Sequence, residues 1–108
     1  MKKPDGYVTK ADSSQVRVVA SEQTLIDELK KIGFIYDNDL LSFVLNAKDN
    51  NEKAVIFNKL RNLGVYFSAG REWSPSELFE YFREINLVSG TYKRISWVGP
   101  DSWKVNES

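Results

Sequence analysis

The chain has 108 residues, of which 42% are hydrophobic and 13% aromatic, and its 15 basic residues balance 15 acidic ones. A chain of this size buries enough apolar surface to fold as one domain without disulfides or a structural metal. It contains no cysteine and no histidine, which excludes Ser-His-Asp and Cys-His catalysis and ordinary zinc sites. We therefore expect a protein that is not an enzyme and carries no cofactor.

The charge and the hydropathy pattern also limit where the protein acts. A net charge of +0 creates no long-range attraction to nucleic acid or anionic lipid. The first residues lack the apolar stretch of a signal peptide, and no apolar run approaches the roughly 20 residues that cross a bilayer. These features predict a cytoplasmic protein that does not enter a membrane.

The beginning of the chain is polar and shows no sustained periodicity. We interpret residues 1–14 as a flexible N-terminal arm and residues 15–108 as a single domain. Residues 16–19 are rich in valine and predict a first strand. Leucine and isoleucine then recur at helical spacing, which predicts a first helix over residues 22–32 with Ser21 as its N-cap.

Two further helices are predicted in the middle of the chain. Leucine, valine and alanine side chains continue a helical stripe over residues 37–47, where Asp37 offers a cap. Asp49, followed three residues later by Glu52, forms a capping box for a third helix over residues 50–63. A short apolar stretch after this helix predicts another strand.

The last third of the chain predicts one helix and a hairpin. Ser74 at the N-cap, Pro75 at the first helical position and Glu77 two residues later are typical of a helix start, so a fourth helix is expected over residues 75–86. Two alternating stretches then flank a Gly-Pro turn, which predicts a C-terminal β-hairpin.

These elements predict an α+β domain with about four helices packed on a small, mostly antiparallel sheet that includes the hairpin. Residues two apart on a strand share a face. Trp97 is therefore expected beside Ile95, and Trp103 beside Val105, on an apolar side of the hairpin that covers the helices.

Because catalytic equipment is missing, the sequence favours a small protein-binding module of the inhibitor, immunity or accessory regulatory type. Such a module acts by covering a surface of its partner. Trp73 lies outside the helical stripes beside Arg71, and both residue types are enriched at interface hot spots. Glu77, Glu80 and Glu84 recur along one side of the fourth helix, either as a solvated face or as an acidic stripe for a basic partner. These five residues are the predicted partner contacts.

A winged-helix-like DNA-binding regulator is the alternative hypothesis. A short apolar stretch over residues 34–36 predicts a strand between the first two helices, and the resulting order of helix, strand, helix, turn, helix and strand follows that of a winged helix–turn–helix domain. The helix over residues 50–63 would present five polar or basic side chains to DNA: Asn50, Asn51, Lys53, Lys59 and Arg61. A net charge of +0 weakens non-specific attraction to phosphates, so a nucleic-acid partner is less favoured than a protein.

Overall fold

The computed structural model describes residues 6–11, 14–69, 75–99 and 102–107. These residues form seven strands and three helices. In chain order they are β1 (Gly6–Lys10), β2 (Gln15–Ala20), α1 (Gln23–Ile32), β3 (Ile35–Asp37), β4 (Ser42–Asn46), α2 (Asn50–Asn62), β5 (Tyr66–Ala69), α3 (Pro75–Glu84), β6 (Lys93–Gly99) and β7 (Ser102–Glu107).

All strands belong to one sheet with the order β3-β4-β2-β1-β5-β6-β7. β1, β5 and β6 are parallel neighbours at its centre, and the other neighbouring pairs are antiparallel. The α+β class fits this arrangement. The expected four helices on a small sheet were wrong, because the described residues form three helices and a seven-stranded mixed sheet, in which most neighbouring pairs are antiparallel.

The predicted second helix, over residues 37–47, is replaced by β3, a turn and β4. The Asp37 carboxylate accepts hydrogen bonds from the backbone amides of Asp39 (2.9 Å) and Leu40 (3.0 Å), which closes a turn instead of starting a helix. Leu41 has a positive φ of 51°, and Leu40 and Leu41 are 37% and 68% exposed, so the two leucines of the apparent apolar stripe do not form a buried helix face. Phe43 then pairs with both Tyr36 and Val18 as part of β4.

The expectation of a flexible arm over residues 1–14 also needs correction, because Gly6–Lys10 forms β1 near the middle of the sheet. Val8 is completely buried and pairs with Val18 on one side and Phe67 on the other. A side chain at position 6 would lie 2.3 Å from Leu25 Cδ2, so glycine lets β1 pack closely against α1. Tertiary pairing fixes this strand despite its weak local signal.

The three helices begin and end close to where the sequence predicts. α1 begins at Gln23, one residue later than predicted, because Glu22 is the N-cap in place of the expected Ser21, and its carboxylate accepts hydrogen bonds from the amides of Thr24 and Leu25. Asp49 caps α2 as expected, accepting from the Glu52 amide at 2.9 Å. No helix in the described ranges combines the length and apolar character that crossing a bilayer requires.

The core lies between the helices and one face of the sheet. Phe57 of α2 is fully buried, and its ring centre lies 5.1 Å from that of Phe67 on β5 and 5.5 Å from that of Phe82 on α3. Phe79 of α3 stacks on Tyr92 with a ring separation of 4.5 Å. These aromatic contacts join two helices to the parallel centre of the sheet, because edge-to-face and offset pairs add to the hydrophobic burial.

The C-terminal hairpin forms as predicted, but its apolar side does not cover the helices. Phe67 pairs with Arg94, so Arg94 lies on the helical side and Ile95 on the opposite face of the sheet. Ile95 is completely buried without belonging to the core beneath the helices. The backbones of Trp97 and Trp103 pair directly, whereas their side chains lie outside the part of the chain that the structure describes.

Candidate binding surface

The second face of the sheet is covered by none of the three helices that the structure describes. We call this surface the open face, and it consists of the strand side chains that alternate with the core residues. Its exposed or partly exposed apolar and basic members are Tyr7, Arg17, Val19, Ile35, Val44, Tyr66, Lys93 and Val105, whereas Ile95 on the same face is completely buried. An antiparallel sheet with one wet face usually carries polar residues there, so this apolar content points to a contact surface.

Two tyrosines occupy the centre of the open face. Tyr7 on β1 is directly opposite Val19 on β2 and Tyr66 on β5, and all three side chains are partly exposed. The Lys93 ammonium lies 5.7 Å from the centre of the Tyr66 ring, within the range of a cation–π contact. This arrangement holds an aromatic, amphipathic patch at the middle of the sheet.

Aliphatic side chains extend the patch toward both edges. Ile35 on β3 is 72% exposed and pairs with Val44, whereas Val105 on β7 is 44% exposed and pairs with Ile95. Single exposed aliphatic residues are normal on protein surfaces. These residues share one sheet face with the tyrosines, and we call this set of exposed and partly exposed apolar side chains the apolar strip.

Charged groups lie among the residues of this strip. Arg17 on β2 pairs with Val44 on one side and with Lys10 on the other, and its Nε donates a hydrogen bond of 2.8 Å to Gln15 Oε1. Lys93 pairs with Glu107, whose carboxylate accepts a 3.1 Å hydrogen bond from the Thr91 hydroxyl. The open face therefore combines aromatic and aliphatic side chains with the basic groups of Arg17 and Lys93 beside them.

The predicted acidic stripe lies on α3, where Glu77 and Glu84 are exposed and Glu80 is partly buried. Glu80 is 3.9 Å from the Arg83 guanidinium, which also donates a 3.1 Å hydrogen bond to the Gly90 carbonyl. Arg83 thus partly neutralises the charge of Glu80, the middle residue of the stripe. Arg71 and Trp73 lie outside the described residues.

The residues of the DNA-binding alternative do not form one common surface. Asn50, Asn51 and Lys59 are exposed on α2, but Lys53 is 7% exposed and its ammonium donates a 2.6 Å hydrogen bond to the Ala11 carbonyl. Arg61 donates to the Ser89 carbonyl. The helix that should precede α2 in a helix–turn–helix is replaced by β3 and β4.

A separate cleft of about 430 Å³ lies between the C-terminal end of α2 and the beginning of β6. The residues that line it are Arg61, Gly64, Val65, Gly90, Thr91, Tyr92, Lys93 and Glu107. The cleft is at the amino ends of β5 and β6, so it lies at the edge of the sheet where Lys93 also borders the open face.

Tyr92, next to this cleft, is a structural residue. Its side chain is 1% exposed, and its hydroxyl donates a 3.2 Å hydrogen bond to the Ser76 carbonyl. Burial raises the pKa of the Tyr92 phenol above 10.0, and the nearby Glu80 carboxylate adds to this effect. The phenol therefore stays protonated and joins β6 to the start of α3.

Sequence reasoning missed the open face because it placed β1 in a flexible arm and β4 in a helix. Alternation in residues 6–10 and 42–46 was the available signal, since Val8, Phe43 and Leu45 all face the core. Comparison of the chain with known protein families, with curated proteins and with solved structures finds no match. The candidate surface therefore depends on its own geometry.

Proposed function

We propose that the protein is a small, non-catalytic, cytoplasmic module that binds another protein through the open face and acts by covering that partner's surface. The observation that carries this proposal is the apolar strip, with Arg17 and Lys93 beside its tyrosines and valines, on the uncovered side of the sheet. Protein interfaces concentrate tyrosine and aliphatic side chains at their centre and place charged groups at the rim. The Tyr7 and Tyr66 pair, bordered by Arg17 and Lys93, has this organisation.

The dimensions of the open face suit a standard interface. Seven strands spaced about 4.8 Å apart form a surface roughly 29 Å wide. The strands are mostly five or six residues long, and they extend it by about 17 Å. Such an area supplies a large share of the ~800 Å² that each partner buries in a typical complex.

The charges on the open face specify the partner's chemistry. We expect a different protein whose surface is apolar at its centre and carries carboxylates opposite Arg17 and Lys93. Gln15 already orients the Arg17 guanidinium, and the Tyr66 ring supports the Lys93 ammonium, so little side-chain freedom is lost on binding. This partner preference is opposite in sign to that of the acidic stripe on α3.

Site-specific photo-crosslinking tests the proposal. A photoreactive phenylalanine analogue replaces Tyr66 on the open face or, as a matched control, Tyr81 on the outer side of α3, where the tyrosine is 38% exposed. Both variants are irradiated in cells that naturally produce the protein. We expect one defined crosslinked protein from position 66 and a much weaker signal from position 81.

A second pair of variants tests whether the partner contacts the open face directly or only lies near it. Ile35→Asp changes a residue that is 72% exposed, so the fold tolerates it, yet it places a carboxylate in the apolar strip. We expect this variant to lose the crosslink at position 66, whereas Glu84→Lys on the acidic stripe should retain it. Crosslinking only from position 81, or a crosslink dimer of two copies of this chain, would reject the proposed partner.

Single-stranded nucleic acid is a second candidate ligand for the same surface, because Tyr7 and Tyr66 are adjacent partly exposed aromatic rings beside Arg17 and Lys93. Bases stack on such rings, and each stacking contact contributes roughly 1–3 kcal/mol. Fluorescence anisotropy with a labelled single-stranded oligonucleotide at low salt tests this candidate. Salt-sensitive binding that Tyr66→Ala abolishes and Tyr81→Ala preserves would support it in place of a protein partner.

A further inference from the structure

We propose that the cleft between α2 and β6 binds a small organic anion through a phosphate or carboxylate group. The cleft is a different surface from the open face, although Lys93 lies at the border of both. Its volume of about 430 Å³ lies in the range of small-molecule sites, which are usually about 300–1,000 Å³. This volume is larger than that of a phosphate or carboxylate group alone, so the ligand also carries an organic part.

The charge balance of the cleft favours an anion. Arg61 and Lys93 contribute two positive charges and Glu107 one negative charge. Within the described ranges the salt bridges are Lys31–Glu28 and Arg83–Glu80, and neither includes a cleft residue. The Glu107 carboxylate accepts its hydrogen bond from the uncharged Thr91 hydroxyl. The two cations are therefore incompletely neutralised, and an anionic group such as a phosphate or a carboxylate would balance the remaining positive charge.

The arginine is held in place before any ligand binds. Its guanidinium donates one hydrogen bond to the Ser89 carbonyl and another, of 3.2 Å, to Asn62 Oδ1. Gly90 has a positive φ of 83°, and a Cβ at this position would lie 2.6 Å from Arg61 Nη1. Glycine at position 90 thus allows the backbone and the guanidinium to approach, and a pre-positioned cation loses little conformational freedom on binding.

Lys93 is the residue on which the test depends, because it is exposed and its charge can be removed without opening the core. Its position at the first residue of β6 places it on the cleft wall, and the Tyr66 ring 5.7 Å away limits its rotamers. A charge-assisted hydrogen bond from this ammonium to an oxyanion is stronger than a neutral one.

The experiment is an NMR titration of the purified, uniformly ¹⁵N-labelled protein with inorganic phosphate and with acetate at constant ionic strength, using chloride as the reference salt. We expect saturable shifts concentrated at the amides of Gly64, Gly90, Thr91 and Lys93. The stronger of the two probes identifies the anionic group as phosphate or carboxylate. Shifts that increase linearly, or that are equal with chloride, would overturn the site.

Three lysine variants control for general charge effects. Lys93→Gln should raise the dissociation constant roughly tenfold, since it removes one charge-assisted contact. Lys93→Arg should largely restore binding, and Lys104→Gln on the exposed part of β7 should leave it unchanged. An unchanged dissociation constant in Lys93→Gln, or an equal loss in Lys104→Gln, would show that the cleft is not the binding site.

Discussion

Lys53 provides a direct test of how the central strand is held against α2. The residue lies within α2 and is 7% exposed, and its ammonium donates a 2.6 Å hydrogen bond to the carbonyl of Ala11, which is itself 1% exposed. Ala11 directly follows β1. Replacement of Lys53 by methionine keeps most of the unbranched aliphatic stem but removes the donor, so it tests this polar contact with little change in packing.

The expected magnitude follows from two opposing effects. Loss of a charge-assisted hydrogen bond to a buried carbonyl costs about 1.5–3 kcal/mol, because the acceptor has no access to water. Removal of a poorly hydrated ammonium returns part of this free energy. We therefore expect Lys53→Met to lower the free energy of unfolding by about 1–2 kcal/mol, which corresponds to a decrease in Tm of roughly 4–8 °C for a domain of this size.

Urea unfolding followed by far-UV circular dichroism measures the change. The matched control is Lys59→Met, which removes a lysine from the exposed side of the same helix and should change stability by less than about 0.5 kcal/mol. Equal unfolding midpoints for the two variants would refute the structural role of Lys53. The side chain would then be free to serve the DNA-binding surface of the alternative hypothesis.

Two further variants test the region around the cleft. Gly90→Ala should lower the free energy of unfolding by about 1–2 kcal/mol, since φ is +83° and the new Cβ would crowd Arg61; a wild-type Tm would contradict this geometry. Burial raises the pKa of Tyr92, so with rising pH the phenol loses its proton at a lower pH in the unfolded chain than in the folded protein. The contribution of Tyr92 to the free energy of unfolding is therefore fully present below pH 10.0 and declines as the pH rises above it. Tyr92→Phe should flatten that alkaline decline in urea titrations; an unchanged decline would assign it to another group.

Local signals in the sequence were sufficient for the helices. The Asp49 cap is confirmed because its carboxylate reaches an amide three residues ahead, an interaction that depends only on nearby residues. Gly33, at a φ of 121°, accommodates the chain reversal after α1 in the same local manner. Pro75 begins α3 at the position that its fixed φ favours.

The strand predicted over residues 16–19 is confirmed as β2, whereas β1 and β4 were not predicted. The central position of β1 depends on Phe67, which pairs with Val8 from 59 residues further along the chain, and the short alternation around Val8 does not reveal this partner. Over residues 37–47 the leucines at positions 40 and 41 imitate a helical stripe, yet they are exposed in a turn. Strand propensity is decided by such tertiary contacts more than helix propensity is.

The candidate surfaces could not be predicted from the sequence for a related reason. Alternation identifies two sides of a strand, but it does not reveal which side the helices cover. Tyr7 and Tyr66 are 59 residues apart in the sequence, and the parallel pairing of β1 with β5 brings them together. The acidic stripe on α3 was visible in the sequence because its members lie on one helix.

Lys93 connects the two surfaces that we propose. Its ammonium lies over the Tyr66 ring at the border of the open face, and the same residue lines the anion cleft. An anion in the cleft would neutralise this charge and weaken its attraction for a carboxylate on the protein partner. Partner and anion would then oppose each other's binding by the same factor, because coupling between two binding sites is reciprocal.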